Sequence, residues 1–319
     1  MRKSIILSSL LVSLSVPALA ANKSVKIHVS NINATSDEIV YNTDGSKLSH
    51  LYWRLEDVKL LGITGSASIN ERLILNAEYK KNIENPNSTM DDYDWISGNA
   101  TAPGGYTHWS HHEKTVVKEV SKIDVNLQLG VVPTPVGIVY GMIGYKKDTF
   151  KWVAWGGFAE YSSNNFQRTY FNDNEKSISY NQYIETPYIG AGLVNTNIPN
   201  FKFDINFKYA SGVSIDGEDT HHLRTGTVTG SAGTYNYNGL YFEDYCDDAT
   251  MLEYSLNAAY EFTDRLSTFI SYVKVDFDIA KGYTKTNYMG TPYSSTSSNG
   301  TAGASHESET YTMGMKYNF

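Results

Sequence analysis

The chain has one cysteine, Cys246, among 319 residues. That excludes an intrachain disulfide framework and any cysteine-based metal cluster. Prolines number only eight, and no Pro- or Gly-rich tract is long enough to indicate disorder. Beyond the N-terminus no apolar run approaches the ~18–20 residues a membrane helix needs, so a helical membrane protein is excluded. Basic charge is also short. With Arg2 and Lys3 set aside, 24 basic side chains face 34 acidic ones, a formal charge of -10, and nucleic acid is not an expected partner.

Residues 1–20 carry the parts of a secretory signal in order. Arg2 and Lys3 form the basic start, Ile5 to Val16 the apolar segment, and Pro17-Ala18-Leu19-Ala20 the small-residue site, with cleavage expected after Ala20. Residues 21–319 are then read as a single domain.

What is abundant is tyrosine, 25 residues, alongside 25 glycines, a bias toward β structure. Period-2 alternation recurs from end to end, as in strands with one apolar and one polar face. Tyr311, Met313, Met315, Tyr317 and Phe319 alternate with Thr312, Gly314, Lys316 and Asn318. The same pattern runs through Leu252 to Phe262, Phe201 to Tyr209, and Ile123 to Val131.

A soluble sandwich would alternate as well, so connection lengths are needed to decide. With about ten strands, tight turns (Asn70-Glu71, Val132 to Pro135, Asn195 to Asn200, Thr263-Asp264) alternate with mostly long polar loops at 83–114, roughly 163–177, 216–247 and 282–305. Short links at one end and long ones at the other are the pattern of an outer-membrane barrel. The reading is therefore all-β: a transmembrane antiparallel β-barrel whose strands continue beyond the bilayer on the long-loop side, with outer-membrane lipid as a partner. A secreted β-sandwich is the competing arrangement.

Two clusters stand at the long-loop edge. In Met90-Asp91-Asp92-Tyr93-Asp94-Trp95, an extended backbone puts Asp92 and Asp94 on one face, about 7 Å apart. Twin anions repel, which raises the pKa of one and lets the pair hold a water or share a proton. In Asp216-Gly217-Glu218-Asp219-Thr220-His221-His222, Asp219 and His221 also share a face, and a carboxylate beside an imidazole can make a general base. In a ten-strand barrel the two clusters stand across the lumen from each other. A water held between them could attack a carbonyl.

Taken with Glu38-Ile39-Val40-Tyr41, Leu51-Tyr52-Trp53, Met142 to Tyr145, Pro187-Tyr188-Ile189-Gly190 and Lys208-Tyr209, these clusters resemble the omptins, outer-membrane proteases of Gram-negative bacteria, over essentially the whole mature chain. The resemblance implies an aspartyl-type endopeptidase without a covalent intermediate. Asp92, Asp94, Asp219 and His221 would be catalytic, and His221 would take a proton from water. Glu38 would bind the basic side chain of a protein or peptide substrate containing Arg or Lys.

The sequence departs from the family pattern in places. Gly217 stands where a second pocket acid is often found, and Asp216 or Glu218 could substitute only if a bulge turned one inward. Ser97 stands where some members carry an acid. At the outward positions expected to hold lipopolysaccharide, a possible activator, the sequence reads Tyr145, Lys147, Thr149 and Tyr183, without arginines; Lys146, Lys147 or Lys151 are the cations left for lipid phosphate. No metal or other cofactor is expected, because His108, His111, His112, His221 and His222 show no ligand spacing on a fixed element. Ser110, read as loop beside His111 and His112, lacks the rigid orienting partner a nucleophile requires. Cys246 reads as a bystander thiol in an external loop. The competing function is a non-catalytic barrel, an adhesin or a channel.

Overall fold

The computed structural model describes residues 22–96, 102, 104–195 and 197–319. The expected signal segment 1–20 and Ser97 lie outside the described residues. The strands are β1 (Lys23–Tyr41), β2 (Lys47–Ser68), β3 (Leu73–Asn82), β4 (Asn87–Asp94), β5 (His108–Thr134), β6 (Gly137–Trp155), β7 (Phe158–Tyr161), β8 (Arg168–Tyr170), β9 (Lys176–Val194), β10 (Phe201–Gly230), β11 (Gly233–Glu261), β12 (Leu266–Tyr288), β13 (Ser294–Thr296) and β14 (Ala302–Asn318). They form one antiparallel sheet that closes on itself, because β14 pairs with β1 from Ser24↔Asn318 to Val40↔Ala302. Around the ring run β1, β2, the tandem β3 and β4, β5, β6, β9, β10, β11, β12 and β14. This is the expected barrel of about ten staves.

Alternation sets the two faces. Leu61, Ile63, Ile143, Ile189, Ile205, Leu256, Ile270 and Met313 point outward and are exposed, flanked by exposed Tyr79, Tyr145, Tyr209, Tyr254 and Tyr311 toward one end and Tyr260, Phe262 and Phe319 toward the other. In lipid, this band and these aromatic girdles are what an outer-membrane barrel presents, and ring closure leaves no unpaired edge at that depth.

Two of the expected loops are corrected. Segment 216–247 is not a loop: β10 and β11 run on as a paired hairpin to Gly230↔Gly233. Segment 83–114 contains β4 and the start of β5. Along much of these extensions the outer face meets water and the inner face carries polar side chains, so the apolar alternation that marks a strand fades although the ladder continues.

Between the lipid band and this extension lies a belt of register shifts: Ile32/Ala34 between β1 and β2, Val117/Glu119 between β5 and β6, Tyr209/Ser214 between β10 and β9, Ala210/Val213 between β10 and β11, and Phe277/Ala280 between β12 and β14. Each inserted residue swaps which side chains face inward. In β10, Ile205, Phe207 and Tyr209 point out, yet beyond Gly212, at φ +68°, the odd-numbered Val213, Ile215 and Asp219 are buried inside. In β11, Leu252 and Tyr254 point out, whereas beyond Asp248, also at φ +68°, even-numbered Cys246 and Asp244 are buried.

The lumen is filled in two storeys. At the belt and just above it, Trp53, Trp152, Tyr180 and Phe150 are fully buried and stacked, with centroids 5.4 Å apart for Trp53–Tyr180, 6.0 Å for Trp152–Tyr180 and 5.9 Å for Phe150–Trp152. Below them a charged network spans the barrel. Lys208 Nζ lies 2.7 Å from Asp124 Oδ2 and 2.9 Å from Glu253 Oε1, and Lys146 also pairs with Glu253. Beneath the network a cavity of about 890 Å³, lined by Lys26, Glu78 and Asp204 among others, extends to Arg72 and Arg265 at the short-turn end.

Substituting outward Leu256 by Lys is expected to cost about 2–4 kcal/mol, the penalty of a charge on the lipid face near the bilayer centre. Urea unfolding from vesicles reads this directly, and an unchanged midpoint would mean that this face does not meet lipid.

Candidate active site

Pro86 has no N–H to give to the ladder, and residues 83–86 interrupt the third stave before pairing resumes at Asn87. In β4, Asp92 stands opposite Leu51 of β2 and Ser110 of β5, and Asp94 opposite Ser49 and His108. Met90, Asp92 and Asp94 are all buried and alternate with Asp91 and Tyr93. Asp91, on the other face, clamps the strand: it accepts from Trp109 Nε1 at 3.1 Å and His111 Nδ1 at 2.7 Å, and it binds the Arg54 guanidinium. Asp92 and Asp94 thus share a face as the sequence indicated, on a strand pinned from behind rather than at a loop entrance.

Asp219 and His221 project into the same lumen from β10. His221 Nε2 lies 2.7 Å from Asp219 Oδ2, and Phe242 packs edge-on against the imidazole at 5.4 Å. Without the belt bulge, the parity of Ile205, Phe207 and Tyr209 would have turned this pair outward. His222, the next residue, bonds Ser179 Oγ at 2.9 Å.

The clusters feel each other across the barrel. Burial, then the neighbouring Asp94 charge, push the Asp92 carboxyl up to about 7, against the pull of His221 and Arg224. Ser49 Oγ donates to Asp92 Oδ1 at 3.3 Å. Burial disfavours the His221 imidazolium, but the charge and hydrogen bond of Asp219, with Asp92 behind them, outweigh it and raise its pKa. Glu38, opposite Leu51 and Ala304, is 4% exposed. Its carboxyl is held well above the ordinary range by burial and then by Asp219, Asp244 and Asp92. One cleft therefore gathers all five residues singled out in the sequence.

Gly217 faces inward, while Glu218 on the other face accepts from Asn181 Nδ2 at 3.0 Å and Tyr183 Oη at 3.1 Å. Asp216 is bonded by Ser214 Oγ at 3.4 Å. A bulge is present, but it turns in neither of the two candidate acids. The inward carboxylate that sequence reasoning missed is Asp244 on β11, pushed up to about 7 by burial, with Asp219 and Asp216 adding to the shift against a bond from Thr284. Arg224, at the β10 register shift between His221 and Thr225, was missed too.

Three further expectations are corrected. Ser110 is not in a flexible loop: it lies on β5, with Oγ 3.3 Å from His112 Nε2, and His112 Nδ1 donates to the Gly156 carbonyl at 2.6 Å. An orienting partner is therefore present. Cys246 is on β11 and buried, not in an external loop. Lys146 points into the lumen, paired with Glu253, and is withdrawn from lipid. On the outer wall Lys147 pairs with Glu185 at 2.7 Å and Lys151 with Glu119 at 2.9 Å.

Comparison with known proteins follows this geometry. The Omptin family model matches residues 19–319. The plasminogen activator of Yersinia pestis is 28% identical, with 100% of each chain covered. The outer membrane protease OmpP of Escherichia coli (strain K12) is 26% identical, over 93% of this chain and 90% of that one. The crystal structure of the outer membrane protease OmpT from Escherichia coli superposes with a TM-score of 0.83 at 22% identity, covering 94% of this chain and 97% of that one, a likeness of fold.

The cleft gives a pH signature. Asp92 and Asp244 at about 7, Glu38 and His221 are all raised above their unfolded values. Their contribution to stability is complete below about pH 4, the unfolded carboxylate range, and is lost as pH rises toward and through 7. The melting temperature of Asp92→Asn should therefore rise relative to that of the wild-type barrel between pH 5 and pH 8, and a difference that stays level or shrinks in that interval would contradict the crowding of these carboxylates.

Proposed function

The chain belongs to the omptin family, and from that premise we propose that this outer-membrane barrel is an endopeptidase that cleaves peptide bonds beside basic residues with a water activated by His221. The observation that carries the reading is the half-buried His221 against the buried Asp219, at 2.7 Å, set in electrostatic contact with the twin carboxylates Asp92 and Asp94. All four lie beyond the lipid band, at the end where a peptide arrives from outside.

Each group has a task that its surroundings suit. Asp219 is buried and holds the ring, stabilising the imidazolium formed when His221 takes a proton from water. The hydroxide forms a bond to the peptide carbonyl carbon, and the carbonyl π pair moves to oxygen. His221 then returns its proton to the leaving amine as the carbon–nitrogen bond breaks. Asp92, near 7, can keep a proton shared with Asp94, so the pair holds the attacking water and donates to the developing oxyanion. No side chain forms a covalent intermediate. Glu38 offers a buried carboxylate to the substrate's Arg or Lys, as charge-assisted bonding favours.

A peptide containing one Arg, incubated with refolded barrel, tests the reading. His221→Ala and Asp92→Ala are each expected to lower kcat/KM by about 10²–10⁴-fold, the usual size of a lost acid–base or positioning group. Cleavage at equal rates by all three proteins would end the hydrolytic account. The base must be neutral to accept a proton, so activity should rise with pH along a limb set by the raised His221 value. Asp219→Asn removes what raises it, and the limb should move to lower pH; a limb that stays in place would assign it to another group.

A further inference from the structure

Beneath the balanced network of Lys146, Lys208, Asp124 and Glu253 the lumen changes character. Ten basic and seven acidic side chains line the cavity of about 890 Å³, in a chain that is acidic overall. Some of its cations are paired: Lys80 with Glu78 at 2.9 Å, Lys122 with Asp148 at 3.6 Å, and Lys202 with Glu261 at 2.5 Å. Lys26 and Lys316 are different, for among the described residues neither forms an ion pair. They are register partners on β1 and β14. Both turn inward, since Ile27 and Met315 beside them are exposed on the lipid face. Side chains directly opposed across a ladder have Cβ atoms about 4.5–5.5 Å apart, and like charges there repel.

Nothing nearby relieves the repulsion. The acids that act on Lys26 are Glu78 and Asp204, and both are engaged elsewhere: Glu78 by Lys80, and Asp204 by Tyr140 Oη at 2.6 Å and Asn257 Nδ2 at 3.0 Å. Lys26 Nζ stands 5.1 Å from the centroid of the Phe269 ring, a contact that holds the ammonium without neutralising it. The pair also lies in the middle of a basic sector of the wall. Arg72 is in the β2–β3 turn on one side, and Arg265 precedes β12 on the other. The Asn318 N–H donates to the Arg265 carbonyl at 2.8 Å, which fixes that turn just below Lys316. With neighbouring strands about 4.8 Å apart, the sector spans about 20 Å.

We infer that Lys26 and Lys316 form an oxyanion site open to the short-turn, periplasmic end of the barrel, taking a dissolved dianion of the phosphate type between their ammonium groups. Each lysine offers three donors and no acceptor, and bonds from an ammonium to a charged oxygen are the strong kind. Arg72 and Arg265 at the mouth raise the local concentration of anions. The site lies on the far side of the aromatic stack from the cleft and does not depend on the endopeptidase reading. A lipid headgroup offers the same chemistry from outside the wall, whereas the cavity is reached from water.

Calorimetric titration with inorganic phosphate, on the barrel in a zwitterionic detergent at low chloride, tests the site. Wild type should bind phosphate, Lys26→Met and Lys316→Met should each weaken binding about tenfold, the value of one hydrogen bond between charged groups, and Lys26→Arg should retain it. Urea unfolding gives a second reading. Phosphate strengthens burial in any protein by exclusion from its surface, so the expected result is a larger gain in midpoint for wild type than for the double variant Lys26→Met with Lys316→Met. Heat-modifiable electrophoretic mobility confirms that each variant is folded, and Lys26→Gln replaces a methionine variant that is not. Equal affinity in wild type and variants, an equal gain in midpoint, or no binding to wild type at millimolar phosphate overturns the assignment. So does a gain that depends on Lys26 but appears only in phosphatidylglycerol vesicles and not with dissolved phosphate, which would give the pair to a lipid headgroup.

Discussion

Closure of the backbone ladder is the constraint on which the rest depends. At lipid depth every N–H and C=O must find a partner within the protein, and the pairing of β14 with β1 completes that demand. Once the ring is closed, strict alternation dictates which side chains see lipid and which see the lumen. Changing the assignment partway up a stave takes an inserted residue, and the belt of register shifts supplies such residues at one level around the barrel. Below it the wall is specified for lipid; above it a different set of residues turns inward, including Asp219, His221 and Asp244.

Burying several carboxylates together is unfavourable on its own. The Asp91 clamp shows how the fold tolerates it: three donors, from Arg54, Trp109 and His111, hold the outward residue immediately before Asp92. The two inward acids inherit a fixed geometry without having neutralising partners of their own. The strain is electrostatic rather than conformational, and it is reduced when a proton or a cation enters. In the lower lumen the opposite choice is made, since Lys146 and Lys208 share Glu253 and Asp124. Internally balanced charge gives a barrel interior that is well tied; unbalanced charge gives a cleft ready to act.

Much of this was legible in the sequence because it is local. Lipid-facing alternation, the short turns, and the shared face of Asp92 with Asp94 and of Asp219 with His221 all follow from spacing alone. Which face a pair occupies is not local. Asp219 has the parity of Ile205 and Tyr209, which point out, and only the bulge at Gly212 brings it inside. Asp244 was hidden for the same reason, since the left-handed residue at Asp248 reverses the order read from Leu252 and Tyr254. The β10–β11 extension reads as a loop in the sequence because water wets its outer face and the apolar rhythm disappears. The inward Lys146, by contrast, could have been read from its neighbours Ile143 and Tyr145, whose exposure fixes the parity of β6.

The stacked indole, phenol and phenyl rings of Trp53, Trp152, Tyr180 and Phe150 divide the tube between the outer cleft and the cavity behind it. A peptide therefore has a single doorway. Whatever enters must back out the way it came, and both fragments of a cut chain are returned to the medium rather than passed to the cell. The outer cleft can thus stand at the cell surface without opening a leak through the membrane beneath it.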